Sequence, residues 1–299
     1  MKNIENALKE LNIEFLKEEP MKNHTSFRTG GNAELFVLPS DEKEIKSILS
    51  ICMQENTEYF VLGNGSNILV PDEGIRGRVV IYLGDKLSYI NEKEDGTIVV
   101  GAGTKLIQLC RYAQNNSLSG LEFAYGIPGS VGGAAYMNAG AYGGEMKDVL
   151  IKCNHINEDG TDGFFEGADM DLSYRHSAYS NSKKIITSVE IKLSAGDKDK
   201  IAEEMRDYLG RRKDKQPLEY PSAGSVFKRP EGYFAGALVE QSGLKGKRIG
   251  GAMVSEKHAG FIINYDNATT TDVLELIDFC RDTVKEKFGV TLEAEIKTV

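Results

Sequence analysis

GIPGSVGGAAYMNAGAYGGE, residues 126–145, is the stretch on which the reading of this sequence turns. It is too long for a turn and too poor in Ser, Asp and Lys for a flexible linker. Seven glycines fall between Gly126 and Gly144, and ten of the chain's 32 between Gly101 and Gly144. Small residues at this density leave backbone groups open to close approach, which is what a backbone-lined ligand cradle requires. Ser130 can begin a short helix over residues 131–135, whose N-terminus would face a phosphate with about 0.3–1 kcal/mol of interaction. Small-residue packing of a helix on a sheet is the competing account of the same residues.

Working outward, LGNGSN (62–67) follows a strand-like run, and a Gly-Asn-Gly-Ser turn there can turn several N–H groups toward one anion. It is not a P-loop, since no Lys follows, and on its own it reads more readily as a tight turn. GAGTKL (101–106) lacks the third glycine of a dinucleotide fingerprint, which argues against a doubly wound nucleotide fold.

Periodicity supplies the rest of the architecture. Helical spacing marks 3–12, 41–54 (with Asp41 and Glu44 as a capping box), 105–115, 197–213, 233–241 and 271–288. Strand character marks 59–63, 78–83, 183–193, 225–228, 259–265 and 290–299, with hairpins over 88–103, turning at Asp95-Gly96, and over 152–166. Hairpins mixed with helices predict an α+β fold. The turn-rich Ser194-Ala195-Gly196-Asp197 predicts a division into residues 1–195 (subdomains of about 1–77 and 78–195) and 196–299.

The chain has 299 residues with 36 basic and 45 acidic side chains, a formal charge of −9 that opposes attraction to a nucleic-acid backbone. No apolar run is long enough to span a bilayer and the charged start has no signal-peptide core, so a cytoplasmic protein is expected. Cys52, Cys110, Cys153 and Cys280 lack C-x-x-C spacing and the four histidines lack ligand spacing, so buried thiols and no metal are expected. Between Arg206 and Lys257, eleven Lys/Arg face six Asp/Glu, a local +5 that suits an anionic small ligand. A solvated basic helix face around Arg211 would account for part of it.

Three further segments can carry chemistry. SYRHS (173–177) sets Arg175 in a polar, aromatic turn; SAGSVFKRP (222–230) sets Ser225 after a glycine; LEAEI (292–296) alternates Leu292, Ala294 and Ile296 with Glu293 and Glu295. Each has a plain alternative: a surface salt bridge for Arg175, a turn hydroxyl for Ser225, and two outward carboxylates on an edge strand.

Taken in order, NHTSFRTGG (23–31), VLGNGSN (61–67), the 126–145 segment, SYRHS, AGSVFKRP (223–230), GLKGKRIGGAMVSEKHAGFIIN (243–264) and LEAEI resemble the MurB family, the UDP-N-acetylenolpyruvoylglucosamine reductases of peptidoglycan synthesis. The resemblance spans essentially the whole chain. It implies an FAD-binding region of the vanillyl-alcohol-oxidase (PCMH) type in two subdomains, followed by a C-terminal α+β substrate domain. By this likeness FAD would be held by Leu62, Gly63, Asn64, Gly65, Ser66 and Asn67 and by Gly126, Ile127, Pro128, Gly129, Ser130, Gly132, Gly133, Ala134 and Gly140.

The family passes hydride from NADPH to FAD and then to the enolpyruvyl double bond of a UDP-sugar. Its pattern makes Arg175, Ser225 and Glu295 the catalytic residues. The chemistry is coherent: hydride at the vinyl carbon leaves enolate-like charge that a fixed Arg can stabilise, and Glu295 would serve best protonated, with a raised pKa. So basic an intermediate can take its proton even from Ser225, given good positioning. There is no room between Ser194 and Pro217 for the inserted loop of one subgroup, so the chain resembles the shorter type II form. Lys228 and Arg229 are then the candidates for the diphosphate. No obligate protein partner is implied. Two other readings stay open, another PCMH-type flavoenzyme acting as an oxidase and a non-catalytic nucleotide-binding module; the oxidase leaves the AGS and LExE segments unexplained.

Overall fold

Asp41 opens a helix as the sequence pattern requires. Its carboxylate accepts the Glu44 N–H at 2.9 Å, while the Glu44 carboxylate accepts the Ser40 N–H at 2.7 Å. Donors that the helix cannot satisfy internally are thus met by side chains. In this computed structural model, which describes residues 1–180 and 182–299, the helices are α1 (Lys2–Glu10), α2 (Glu42–Gln54), α3 (Leu106–Asn115), α4 (Val131–Tyr136), α5 (Lys198–Lys215), α6 (Ala235–Gln241) and α7 (Thr270–Phe288). None of the described helices is long and apolar enough to cross a membrane.

The chain forms two compact units. The first comprises Met1–Lys17, Leu35–Asn64 and Gly77–Gly210. Its five-stranded antiparallel sheet runs in the order Asp162–Glu166, Leu150–Ile156, Ile185–Ile191, Ile98–Gly101, Ile90–Glu92. Glu58–Leu62 pairs in parallel with the part of strand Ile75–Tyr82 from Arg78 to Tyr82. The helical stripe of α2, with Ile45, Ile48, Leu49 and Cys52, and that of α3, with Leu106, Leu109, Cys110 and Ala113, are buried in one core with Ile98, Val100, Val189 and Ile191. Each large aliphatic removed from water there contributes about 1.5–3 kcal/mol. Burial also pushes the thiols up, Cys52 to about 11 and Cys110 and Cys153 to about 12.

The second unit comprises Glu18–Glu34, Gly65–Arg76 and Arg211–Val299. Phe27 and Leu69, from its two N-terminal segments, are buried in one core with Leu238, Val254, Val273, Leu276, Cys280 and Leu292. The start of α7 shows how the pieces are joined. Thr269 and Asp272 form its capping box, and the Asp72 carboxylate accepts the N–H groups of Thr270 (2.7 Å) and Thr271 (2.9 Å) and the Thr271 hydroxyl (2.7 Å). Gly289, at φ 71°, ends the helix in the left-handed conformation that glycine adopts without penalty.

The described units differ from the expected linear division at residues 195 and 196. Ser194–Ala195 pairs with Leu118–Ser119 as a short antiparallel ladder, and α5 runs unbroken across Gly210. Segments 225–228 and 290–299, expected as strands, meet in a single isolated bridge, Phe227 with Ala294, because the Val226 N–H turns instead to the Gly260 carbonyl; of the second segment only Lys297–Thr298 is a strand, paired in parallel with Ile68–Leu69. The strands Phe15–Pro20 and Asn32–Val37 escaped the pattern reading. FLKEEP carries three charges and bends at Glu18, which has φ 50°, so its alternation is broken.

Candidate functional site

In the first unit the two glycine-rich segments meet. A Cβ on Gly63 would lie 2.6 Å from the Ser130 hydroxyl oxygen, so the turn after strand Glu58–Leu62 leaves that hydroxyl in place at the start of α4 only as glycine. The short helix expected over 131–135 is present as α4, with Ser130 accepting the Gly133 N–H. Its N-terminus, however, faces protein and not an open anion site. Val131 N–H donates to the Thr104 carbonyl at 2.8 Å and Gly132 N–H to the Ala102 carbonyl at 3.0 Å. Gly132 packs so that a Cβ would lie 2.8 Å from that of Ala102, and a Cβ on Gly140 would lie 2.7 Å from Glu145 Cγ. These two glycines thus have packing roles of their own, and the part of the segment left to a ligand is Gly126–Gly129, before the helix.

In the second unit Gly65 continues the first glycine-rich turn. It is buried at φ 58°, with the His24 carbonyl oxygen occupying the space a Cβ would need. Among the described residues, no hydrogen bond is formed to the N–H groups of Asn64, Gly65 or Ser66. Of the three only Gly65 is buried, and a buried backbone donor is nearly always paired, so its N–H, followed by that of half-buried Ser66, is where an acceptor such as a phosphate-bearing group could sit. Asn67 then ties the turn to the C-terminal segment. Its Nδ2 donates to the Glu295 carbonyl at 3.2 Å, and its carbonyl accepts the Lys297 N–H at 3.1 Å.

Glu295 N–H in turn donates to the Val226 carbonyl at 2.7 Å, so the AGS and LEAEI segments are hydrogen-bonded neighbours. Ser225 is half-buried and its hydroxyl makes a long bond, 3.4 Å, to the Phe227 carbonyl. Close by, His258 Nδ1 accepts the Gly260 N–H, which puts the proton of the neutral ring on Nε2; burial holds this imidazole below its ordinary value. The alternation expected in LEAEI holds in part: Leu292 and Ile296 are buried and Glu293 is exposed, while Ala294 and Glu295 are both half-buried. Glu293 engages the ammonium of Lys228, and Lys245 and Lys257 face Glu240 and Glu219. Part of the local positive charge is therefore already matched. Arg229 stacks its guanidinium 4.2 Å from the Phe234 ring centre.

Arg175, in the first unit, stands at the corner of a two-residue turn closed by reciprocal bonds between Ser173 and His176. Its φ is 55°, a conformation costing a non-glycine residue about 1–3 kcal/mol and concentrated at functional sites. Its Nη2 donates to the Gly140 carbonyl at 3.3 Å and its guanidinium lies 5.1 Å from the Tyr174 ring centre. The Glu145 carboxyl is held below its ordinary range by a hydrogen bond from Lys147, which burial opposes, and further by Asn138 and the charge of Arg175.

Residues 216–299 match the family model described as UDP-N-acetylenolpyruvoylglucosamine reductase, C-terminal domain, and residues 33–161 match an FAD binding domain. UDP-N-acetylenolpyruvoylglucosamine reductase of Syntrophomonas wolfei is 50% identical over 281 residues, 94% of this chain and 93% of that protein. The chain belongs to the UDP-N-acetylenolpyruvoylglucosamine reductase family. It is an FAD-binding oxidoreductase. The Clostridium botulinum reductase is 48% identical over 288 residues, covering 96% of this chain and 93% of that one. The crystal structure of the MurB reductase from Thermus caldophilus superposes with a TM-score of 0.81 at 36% identity, over 96% of this chain and 98% of that one. A berberine bridge enzyme variant, at TM-score 0.50 and 12% identity over 65% of this chain and 44% of its own, shares the fold alone.

Within this reductase family frame, the sequence reading missed Asn138, Glu145 and His258, all of which lie inside segments it quoted. Only Asn138 left a signal: an asparagine after a short helical run suits the left-handed residue that ends a helix.

Proposed function

We propose that the chain reduces the enolpyruvyl group of UDP-N-acetylenolpyruvoylglucosamine to UDP-N-acetylmuramate in the cytoplasm, as a step of peptidoglycan synthesis, with NADPH as reductant. The observation that carries this reading is the bond from Asn67 to the Glu295 carbonyl. It joins the turn suited to a phosphate-bearing cofactor directly to the carboxylate segment the reaction needs.

FAD, when bound, supplies the hydride. Asn64, Gly65 and Ser66 would hold its pyrophosphate through backbone N–H groups, with Leu62, Gly63 and the loop from Gly126 to Ser130 lining the rest. Gly132 packs on Ala102, Gly133 donates its N–H to Ser130, Ala134 is buried in α4 and Gly140 packs on Glu145, so these four serve the protein's own structure. Hydride addition to the terminal vinyl carbon puts an electron pair on the carbon bearing the carboxylate. Arg175 would stabilise that charge through its planar fork, held at a strained corner by the Gly140 carbonyl. Glu295, if protonated, donates a hydrogen bond where a second bare carboxylate would repel. Ser225 then transfers its hydroxyl proton to the carbon, completing the reduction, and recovers a proton from solvent. Arg229 and, once released from Glu293, Lys228 would bind the diphosphate. The short segment between Ser194 and Pro217 supports the type II form.

The test follows the absorbance of the flavin in the purified holoenzyme. NADPH alone should bleach it, and the enolpyruvyl nucleotide should then restore it without oxygen. A flavin that stays oxidised under NADPH, or that reoxidises only with oxygen, would refute the reading in favour of an oxidase.

A further inference from the structure

Asn138 is 0% exposed and sits just past the end of α4. At φ 42° it is the left-handed residue of a Schellman motif, in which Ala139 N–H bonds the Ala134 carbonyl at 2.8 Å and Asn138 N–H the Ala135 carbonyl at 3.2 Å. Asparagine tolerates this conformation, and its side chain is left to do something else. Three bonds use it. Oδ1 accepts the Lys147 N–H at 2.9 Å; Nδ2 donates to Glu145 Oε2 at 2.8 Å and to the Ser173 carbonyl at 2.9 Å.

Those partners are the two sides of the Arg175 setting. Ser173 closes the corner that Arg175 occupies, and Glu145 belongs to the hairpin whose Gly140 carbonyl accepts from the guanidinium. A second tether runs parallel: the Ser177 hydroxyl donates to the Tyr136 carbonyl at 2.6 Å and the Tyr136 hydroxyl to the Ser180 carbonyl at 3.2 Å. Tyr142, at the tip of the same hairpin, is also left-handed at φ 55°, and its ring stacks on Tyr208 with centroids 4.5 Å apart. Strained, fully tethered backbone of this kind persists where a side chain must be held to a narrow geometry.

We propose that Asn138 is a positioning residue for Arg175: one buried amide locks the 173–176 corner to the 140–145 hairpin and so fixes where the guanidinium points. The inference rests on the reading of Arg175 as the group that stabilises charge on the substrate. No residue of similar size replaces Asn here. Aspartate would set a second carboxylate against Glu145 and a bare acceptor against the Ser173 carbonyl, while leucine has no donor.

The test uses Asn138→Gly in the holoenzyme, since glycine keeps the left-handed helix end and removes only the side-chain bonds. FAD content and the rate of NADPH-driven bleaching should match wild type. The half-reaction with the enolpyruvyl nucleotide should slow by ~10- to 100-fold, the cost of misplacing a group by about 1 Å. Amide exchange in residues 173–180 should quicken. The double variant Asn138→Gly/Arg175→Ala should be no slower than Arg175→Ala alone, because one residue acts through the other. Multiplying losses in the double variant, or an unchanged substrate half-reaction in Asn138→Gly, would overturn the proposal. An Arg175→Ala enzyme with full turnover would instead strike down the role of Arg175, and the positioning role with it. If Asn138→Gly sheds its FAD, Asn138→Asp asks the same question, since it keeps an acceptor for the Lys147 N–H and loses the donor to the Ser173 carbonyl. A slowed substrate half-reaction with quicker amide exchange in residues 173–180 supports the link, and wild-type values of both overturn it.

Discussion

Gly63 and the Ser130 hydroxyl stand so close that a Cβ on the glycine would come within 2.6 Å of the oxygen. The same oxygen caps α4 by accepting the Gly133 N–H. Gly63→Ala must therefore drive the hydroxyl away, uncapping the helix at about 1 kcal/mol and lowering Tm by about 2–4 °C. It should also weaken FAD retention, because the turn itself must shift. Ser130→Ala loses the cap but leaves the turn free, so it should show a similar Tm and tighter FAD. Thermal melts and flavin release by dialysis would separate the two; a wild-type melt for Gly63→Ala would contradict the packing argument.

Ser225→Ala should leave bleaching by NADPH intact and slow the substrate half-reaction at least ~10²-fold, the low end for a missing general acid. Stopped-flow absorbance in each half-reaction distinguishes this from a binding defect, which would yield to more substrate. Two unchanged half-reactions would remove Ser225 from the chemistry.

Arg175→Lys keeps the charge but loses the fork that reaches the Gly140 carbonyl and would clasp a carboxylate. Turnover should fall by ~10²-fold or more with bleaching by NADPH preserved. Wild-type kcat in this variant would show that a point charge suffices there.

Asp72 predicts an acid-sensitive second unit. Burial raises its pKa, but bonds from the Thr271 hydroxyl and the Thr271 and Thr270 N–H groups outweigh it and hold the carboxyl below 3.8. A depressed folded value means stability that is present above pH 3.8 and lost as pH falls through the folded value. Asp72→Asn should thus cost about 0.5–1 kcal/mol at pH 7, part of it offset by relieved repulsion of Asp272, and much less near pH 2. Urea midpoints of the two proteins at both pH values test this; a gap independent of pH would assign the loss to something other than the charge.

Where a local rule governs, the sequence is readable. The Asp41 N-cap of α2, the Asp95-Gly96 hairpin, the short helix after Ser130 and the end of α7 at Gly289 all follow from side chains a few residues apart. What escaped was decided at long range. The N–H groups at the start of α4 are taken by Thr104 and Ala102, some 27 to 30 residues upstream, which no local pattern announces. Lys228 looks like an anion ligand until Glu293 is found beside it. Asn138 reads as a helix end, and nothing in its neighbourhood reveals that its amide reaches Ser173.

The three-part make-up of the second unit also sets an order of events during synthesis. Thr270 bonds to Val70 and Thr29, and Asn264 to Phe27, partners separated by 200 to 241 residues along the chain. While the ribosome is still adding the last ninety or so residues, segments 18–34 and 65–76 have emerged with Phe27 and Leu69 uncovered, and they must wait for α7 to bury them. The first unit already has all its pieces once residue 210 is out. A polypeptide cut near residue 196 would therefore separate the C-terminal part from two side chains of its own core.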